Sequence, residues 1–206
     1  MNAADNINNS NITIQFVDGV VGKELNLESL VEQNIIRDFI IHDNSAKVFN
    51  GNILNRKNEL GCYLSHLKIY DIIDDRMEIN NRTKYGYSVV FEDDFVINDN
   101  FLQIVDESIT KLKEIDFDLL FLGIIGGKGD QITDNIYKAL PDSFTTHAYL
   151  INNKNIKKIK ESLKSIDAII DVNIFQKAGT GELIVFRLDT TIVDQGNYGT
   201  DIRNHI

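Results

Sequence analysis

The feature that most limits what this chain can fold into is a change of hydrophobic period in its first half. From Arg56 to Arg76, RKNELGCYLSHLKIYDIIDDR, residues Leu60, Tyr63, Leu64, Leu67, Tyr70 and Ile73 recur at steps of three and four, which puts them on one stripe of an α-helix. Tyr87 to Phe91, YSVVF, is then short, β-branched and aromatic, as a strand is. The alternation continues. Helices are predicted over Asn100–Ile115, Asn155–Leu163 and Ala168–Lys177, and strands over Asp118–Gly123, Thr145–Asn152 and Leu183–Leu188. Ahead of these, Ile12–Gly19 (ITIQFVDG) reads as a short strand ending in an Asp/Gly turn, Leu25–Ile36 has mixed helical spacing, and Asn44–Asn55 has loop composition. Strands alternating with helices predict an α/β layered sheet whose ligands gather beyond the carboxyl ends of the strands.

No repeat, linker or second composition zone interrupts this pattern, so residues 12–206 are expected to form one domain. Residues 1–11 are too polar to bury much surface and are expected to be a disordered lead-in. Gly61 sits inside the clearest helix at a cost of about 1 kcal/mol relative to Ala. Close packing or ligand approach would justify it.

Net charge of -10 argues against a nucleic-acid backbone or an anionic membrane surface as partner, since both repel an acidic protein. The single cysteine, Cys62, rules out an internal disulfide and a cysteine-built zinc site. The Asn-rich start has neither a basic region nor a long apolar run, so a cytoplasmic protein without a membrane span is expected.

The chemistry concentrates in VVFEDDF, where an apolar strand runs into Glu92, Asp93 and Asp94. If the strand continues, Glu92 and Asp94 share one face and Asp93 points to the other. Adjacent carboxylates repel and call for a cation. Magnesium or manganese suits such oxygens, taking one or two protein carboxylates and completing its shell with water and substrate phosphate. A solvated turn or a helix-capping acid group explains the same residues as well. Ser65 and His66 are neighbours and so about 100° apart on a helix, which is poor geometry for a nucleophile and its base. Cys62 and His66 are one turn apart, as metal ligands can be, yet the sequence offers them no third ligand. His147 shares a strand face with Tyr149, and GIIGGKGD (Gly123–Asp130) lacks the Lys-Ser or Lys-Thr ending of a phosphate cradle.

ELGCYLSHLKIY, Glu59–Tyr70, followed by YSVVFEDDF, resembles glycosyltransferase family 25, which includes bacterial lipooligosaccharide and procollagen galactosyltransferases. The family's G-C-x-x-S-H helix and E-D-D strand end are matched at Gly61, Cys62, Ser65, His66, Glu92, Asp93 and Asp94. DFDLLFLG, THAYLIN, Asp171 and IVDQGNYGTDI extend the likeness over residues 12–204. The resemblance implies a GT-A-like single domain with a mixed central sheet flanked by helices. It also implies metal-dependent, inverting transfer of a hexose, galactose above all, from a UDP-sugar to a hydroxyl of a glycan or protein acceptor, with Mn2+ or Mg2+ as cofactor.

By the same resemblance Asp94 holds the metal, Glu92 holds the metal or the donor ribose, and Asp93 supports them. Ser65 and His66 lie on the donor side, where His66 hydrogen-bonds the donor or steadies the loop bearing the acids, a satisfied buried histidine being the alternative. Asp171, with Asp167 behind it, takes the acceptor proton, although an ordinary helix cap explains Asp171 equally. Gln195, Thr200 and Asp201 match the family tail and line the acceptor cleft, with Asp201 or His205 the candidate to close the metal shell; His147, on the strand face of Tyr149, is either an acceptor contact or a residue of core or edge packing. One departure stands out. Family members usually open with a V-x-V-I-N-L strand and an Arg-rich turn, and nothing before Ile12 resembles them. The first family strand therefore looks missing, and a non-catalytic binding module without a complete donor site is the alternative reading.

Overall fold

In the computed structural model, which describes residues 12–38, 53–79 and 86–196, the predicted alternation becomes a mixed six-stranded sheet flanked by helices. The lead-in, most of the Asn/Gly-rich stretch before Ile53, and Thr200, Asp201 and His205 lie outside the described residues. In chain order the elements are α1 (Leu27–Glu32), α2 (Ile53–Ile79), β1 (Tyr87–Phe91), β2 (Phe95–Ile97), α3 (Phe101–Lys111), β3 (Leu119–Phe121) and β4 (Lys128–Thr133). There follow β5 (Ile136–Ala139), β6 (Ala148–Asn152), α4 (Ile156–Leu163), α5 (Ile170–Gly179), β7 (Val185–Leu188) and β8 (Val193–Gln195).

The sheet order is β1-β6-β3-β7-β5-β4. Only β3 and β7 run parallel; the other neighbours are antiparallel. This arrangement is consistent with the expected GT-A-like layering. Strand β6, AYLIN, is buried along its whole length, and the reason is its place between β1 and β3 with helices over both faces. Its alternation divides the core. Tyr149 and Ile151 join Leu119, Phe121 and Val185 against α2, α4 and α5. Ala148 and Leu150 join Leu120, Phe186 and Leu188 against Phe101 and Val105 of α3. Each large side chain so buried contributes roughly 1.5–3 kcal/mol.

The predicted strand Ile12–Gly19 is not a strand. Its period-two apolar pattern is real, but the segment joins no ladder, and Phe16 is 95% exposed. Side chains of α2 hold its backbone instead. Ser65 Oγ accepts from the Val20 N–H at 2.8 Å, and Lys68 Nζ donates to the Asp18 carbonyl at 2.8 Å. Two short pairings went unread because they carry no apolar period. They are the β4–β5 hairpin, which turns at Asn135 with φ 64°, and the two-stranded β2–β8 ladder.

Close packing explains the glycine in α2. A Cβ on Gly61 would sit 2.7 Å from the Val20 carbonyl oxygen and 2.8 Å from Gly22 Cα. Gly61→Ala is therefore expected to destabilise the protein even though Ala is the better helix former. Overpacking of about 1–3 kcal/mol outweighs a propensity gain of about 1 kcal/mol. Thermal melts should show a Tm lower by several degrees, and an unchanged or higher Tm would contradict this packing.

Candidate functional site

Strand β1 stops at Phe91, and Asp93–Asp94 form a turn into β2. The expectation that Glu92 and Asp94 share one strand face is thereby corrected: the strand does not continue through the acids. The cause is β8. Its antiparallel pairing with β2 and the Gly196 N–H donated to the Asp94 carbonyl at 2.6 Å draw the chain out of the main sheet. Phe91 and Phe95, stacked with ring centroids 4.5 Å apart, brace the turn on either side.

Glu92 turns inward. Its N–H donates to the His147 carbonyl at 3.0 Å, Oε1 accepts from Thr146 Oγ1 at 2.6 Å, and His66 Nε2 lies 3.4 Å from Oε1. Burial pushes the Glu92 carboxyl up, but the bond and charge of His66, together with Thr146 and His147, outweigh it and hold the carboxyl below its ordinary value. His66, on α2, is buried. Its Nδ1 meets Tyr149 Oη at 2.6 Å, which in turn lies 2.9 Å from Tyr70 Oη. A polar chain, Tyr70–Tyr149–His66–Glu92–Thr146, thus crosses one face of the sheet inside an apolar core. Full satisfaction makes such a chain rigid.

Asp94 differs. Its Oδ1 is buried without a hydrogen-bond partner, and Gln195 Nε2 reaches Oδ2 only at 3.5 Å. Burial, then Glu92, then Asp93 push its carboxyl up. Asp93 is exposed. Asp94 is the acid whose environment asks for a cation.

Asp171 lies in the first turn of α5. Oδ2 accepts from the Thr145 N–H at 3.1 Å and Oδ1 from the Val172 N–H at 2.7 Å. Thr145 adopts φ 84°, a region that side chains with Cβ branching strongly resist, so Asp171 holds a strained residue. Thr146, next along, holds Glu92. Asp167 is elsewhere engaged, with Arg37 Nε at 3.0 Å and Ser165 Oγ at 2.9 Å.

The remaining predicted residues are spread. Ser65 is used in both directions, donating to the Gly61 carbonyl at 2.7 Å while accepting from Val20. His147 is buried, and Nε2 donates to the Val193 carbonyl at 2.7 Å, tying β8 to the chain entering β6. Gln195 is exposed beside Asp94.

Sequence reasoning passed over Glu59 and Thr146. Glu59, one turn before Cys62 on α2, is half-buried with Oε2 unpartnered. Burial first, then the charge of Asp171, pushes its carboxyl up to about 7 against the opposing Arg56. The signal was its three-residue step to Cys62, which puts both on one helix face. Burial also pushes the Cys62 thiol up, and Glu92, Asp171, Glu59 and Asp93 push it the same way. Four carboxylates from α2, the β1–β2 turn and α5 therefore share one neighbourhood.

The sequence model of glycosyltransferase family 25 (LPS biosynthesis protein) matches residues 2–124, more than half of the chain. The chain belongs to glycosyltransferase family 25. No curated protein matches it. Membership in family 25 implies glycosyltransferase activity in lipopolysaccharide biosynthesis. The matched stretch carries Glu59, Cys62, Ser65, His66 and all of Glu92–Asp94, whereas Thr146, Asp171 and Gln195 lie beyond it. Among the described residues of this family 25 chain, no helix is long and apolar enough to cross a membrane.

Proposed function

We propose that this family 25 chain transfers a hexose, galactose in the first instance, from a UDP-sugar to a hydroxyl on a glycan or protein acceptor, with inversion and with Mn2+ or Mg2+ bound. The domain carrying the reaction spans residues 12–206. The observation that supports this reading most is the unpartnered, buried Oδ1 of Asp94 beside Glu92 and Asp93. An oxygen donor set of this kind fits a hard divalent cation. Asp94 is the principal ligand and Glu92 the second, with Asp93 supporting. Such an ion, when bound, supplies Lewis-acid stabilisation of a departing diphosphate.

The chain's own residues do the rest. His66 and Thr146 fix Glu92, and Asp171 fixes the backbone at Thr145. The acceptor hydroxyl loses its proton to the Glu59–Asp171 pair. Glu59 is the better base of the two, since its oxygen is unengaged and its proton affinity lies near neutral pH. Gln195, Asp201 and His147 belong to the acceptor side, His147 through its hold on β8.

A second reading has its own observation. Glu92 is already satisfied by Thr146 and His66, as it would be in a sugar- or protein-binding module that has given up catalysis. Calorimetry with UDP and Mn2+, followed by a UDP-release assay over a panel of UDP-sugars and acceptors, separates the two. Manganese-dependent UDP binding and release support transfer. A folded protein that binds no nucleotide supports the module.

A further inference from the structure

The fold supplies the third ligand that the sequence denied to Cys62 and His66. Cys62 Sγ, a ring nitrogen of His66 and a carboxylate oxygen of Glu92 all lie within 4.8 Å of one another. The first two stand one turn apart on α2, and the third arrives from the end of β1. We propose that these three side chains form a site for a borderline-soft divalent cation of the zinc type, distinct from the hard-cation site at Asp94.

The parts are arranged as a metal site requires. In a tetrahedral zinc site, ligand–ligand edges are roughly 3.3–3.7 Å, and His66 Nε2 already stands 3.4 Å from Glu92 Oε1. Cys62 Sγ lies within 4.8 Å of both. Two of the three ligands have the outer partners that orient metal-binding groups. Tyr149 Oη takes His66 Nδ1 at 2.6 Å, leaving Nε2 facing the other ligands, and Thr146 Oγ1 donates to Glu92 at 2.6 Å. Glu59, Asp93 and Asp171 add negative charge around the thiol. Binding displaces the thiol proton to solvent, the sulfur keeps both electrons of the S–H bond, and one coordination position is left for water or a substrate oxygen. Manganese and magnesium prefer an all-oxygen set, so sulfur and imidazole make this site selective for the softer ion.

Glu92 is common to both sites. A zinc ion seated here withdraws it from the Asp94 site and so inhibits hexose transfer. That consequence rests on the proposed transfer reaction, whereas the binding itself does not.

The test uses the full chain and the metals alone. Because Cys62 is the only cysteine, any thiolate-to-metal charge-transfer band reports on it. One equivalent of Co2+ or Cd2+ is expected to give that band, and Zn2+ is expected to compete it away. Cys62→Ser should abolish it, Tyr149→Phe should weaken binding by about 10–100-fold, and Asp94→Ala should leave it intact. Should Cys62→Ser fail to fold, the wild-type thiol serves instead, with Zn2+ expected to slow its alkylation at least tenfold. Absence of the band in folded wild-type protein, its persistence in Cys62→Ser, its loss in Asp94→Ala, or unslowed alkylation overturns the site. Failure of UDP-sugar transfer alone leaves the spectroscopic result standing.

Discussion

Asp94→Ala is expected to lower UDP-sugar transfer by about 10²–10³-fold, the usual loss when one preorganised electrostatic group is removed from a reacting centre. Chelation should reduce the wild-type rate to a similar level and change the variant little further, because both remove the same cation. The stability effect should run the other way. In the metal-free protein Asp94 carries a buried, unpartnered oxygen among Glu92 and Asp93, all of which push its carboxyl up. A carboxyl raised in this way contributes stability at low pH that is lost as pH rises through its folded value. Truncating it should leave the neutral-pH Tm unchanged or higher, a trade between function and stability. The paired measurement is turnover with and without chelator alongside a thermal melt. Full activity in Asp94→Ala with chelator present would remove the metal from the reaction.

The second large effect concerns Glu59. If Glu59 takes the acceptor proton, wild-type kcat/KM should climb as pH passes about 7, where the carboxyl raised by burial and by Asp171 releases its proton. Glu59→Gln should lose that limb and fall by about 10²–10⁴-fold, the span of general-base contributions. The same group also sets a pH dependence of stability. Folded Glu59 holds its proton to about 7, whereas an unperturbed glutamate releases it near 4.5. The folded state therefore binds more protons between these values, and the stabilisation present below 4.5 is lost as pH rises through 7. Glu59→Gln should accordingly melt higher than wild type at pH 8 and close to wild type at pH 4.5. A variant that keeps both its rate and the neutral-pH limb moves the base to Asp171, which Asp171→Asn then tests. Its two backbone bonds, to Thr145 and Val172, predict that this substitution also loosens the strained turn beside Glu92.

The family could be read from a few adjacent letters because its signature is local. Gly61, Cys62, Ser65 and His66 fall on successive turns of one helix, and Glu92–Asp94 follow one strand. What those residues do within the fold was less legible. Ser65 reads as a donor contact, yet its hydroxyl is taken up at both ends by Gly61 and Val20. Gly61 inside a helix calls for a close neighbour, and only the packed chain shows that the neighbour is the backbone of Val20 and Gly22.

Hydrophobic period alone determined the order of helices and strands from α2 to β7 apart from β2, β4 and β5, since burial against a sheet imposes a repeat that the sequence must carry. It also determined where the acids emerge, at the end of an apolar strand. Tertiary structure decided which way each acid points, that Glu92 is held by His66 and Thr146, that Asp94 keeps an unpartnered oxygen, and that Glu59 feels the charge of Asp171. It likewise left Ile12–Gly19 outside any sheet. The physical reason is that period reports whether a residue faces a core, whereas hydrogen bonds, proton affinity and metal-binding geometry depend on residues distant in sequence whose approach only the folded chain fixes.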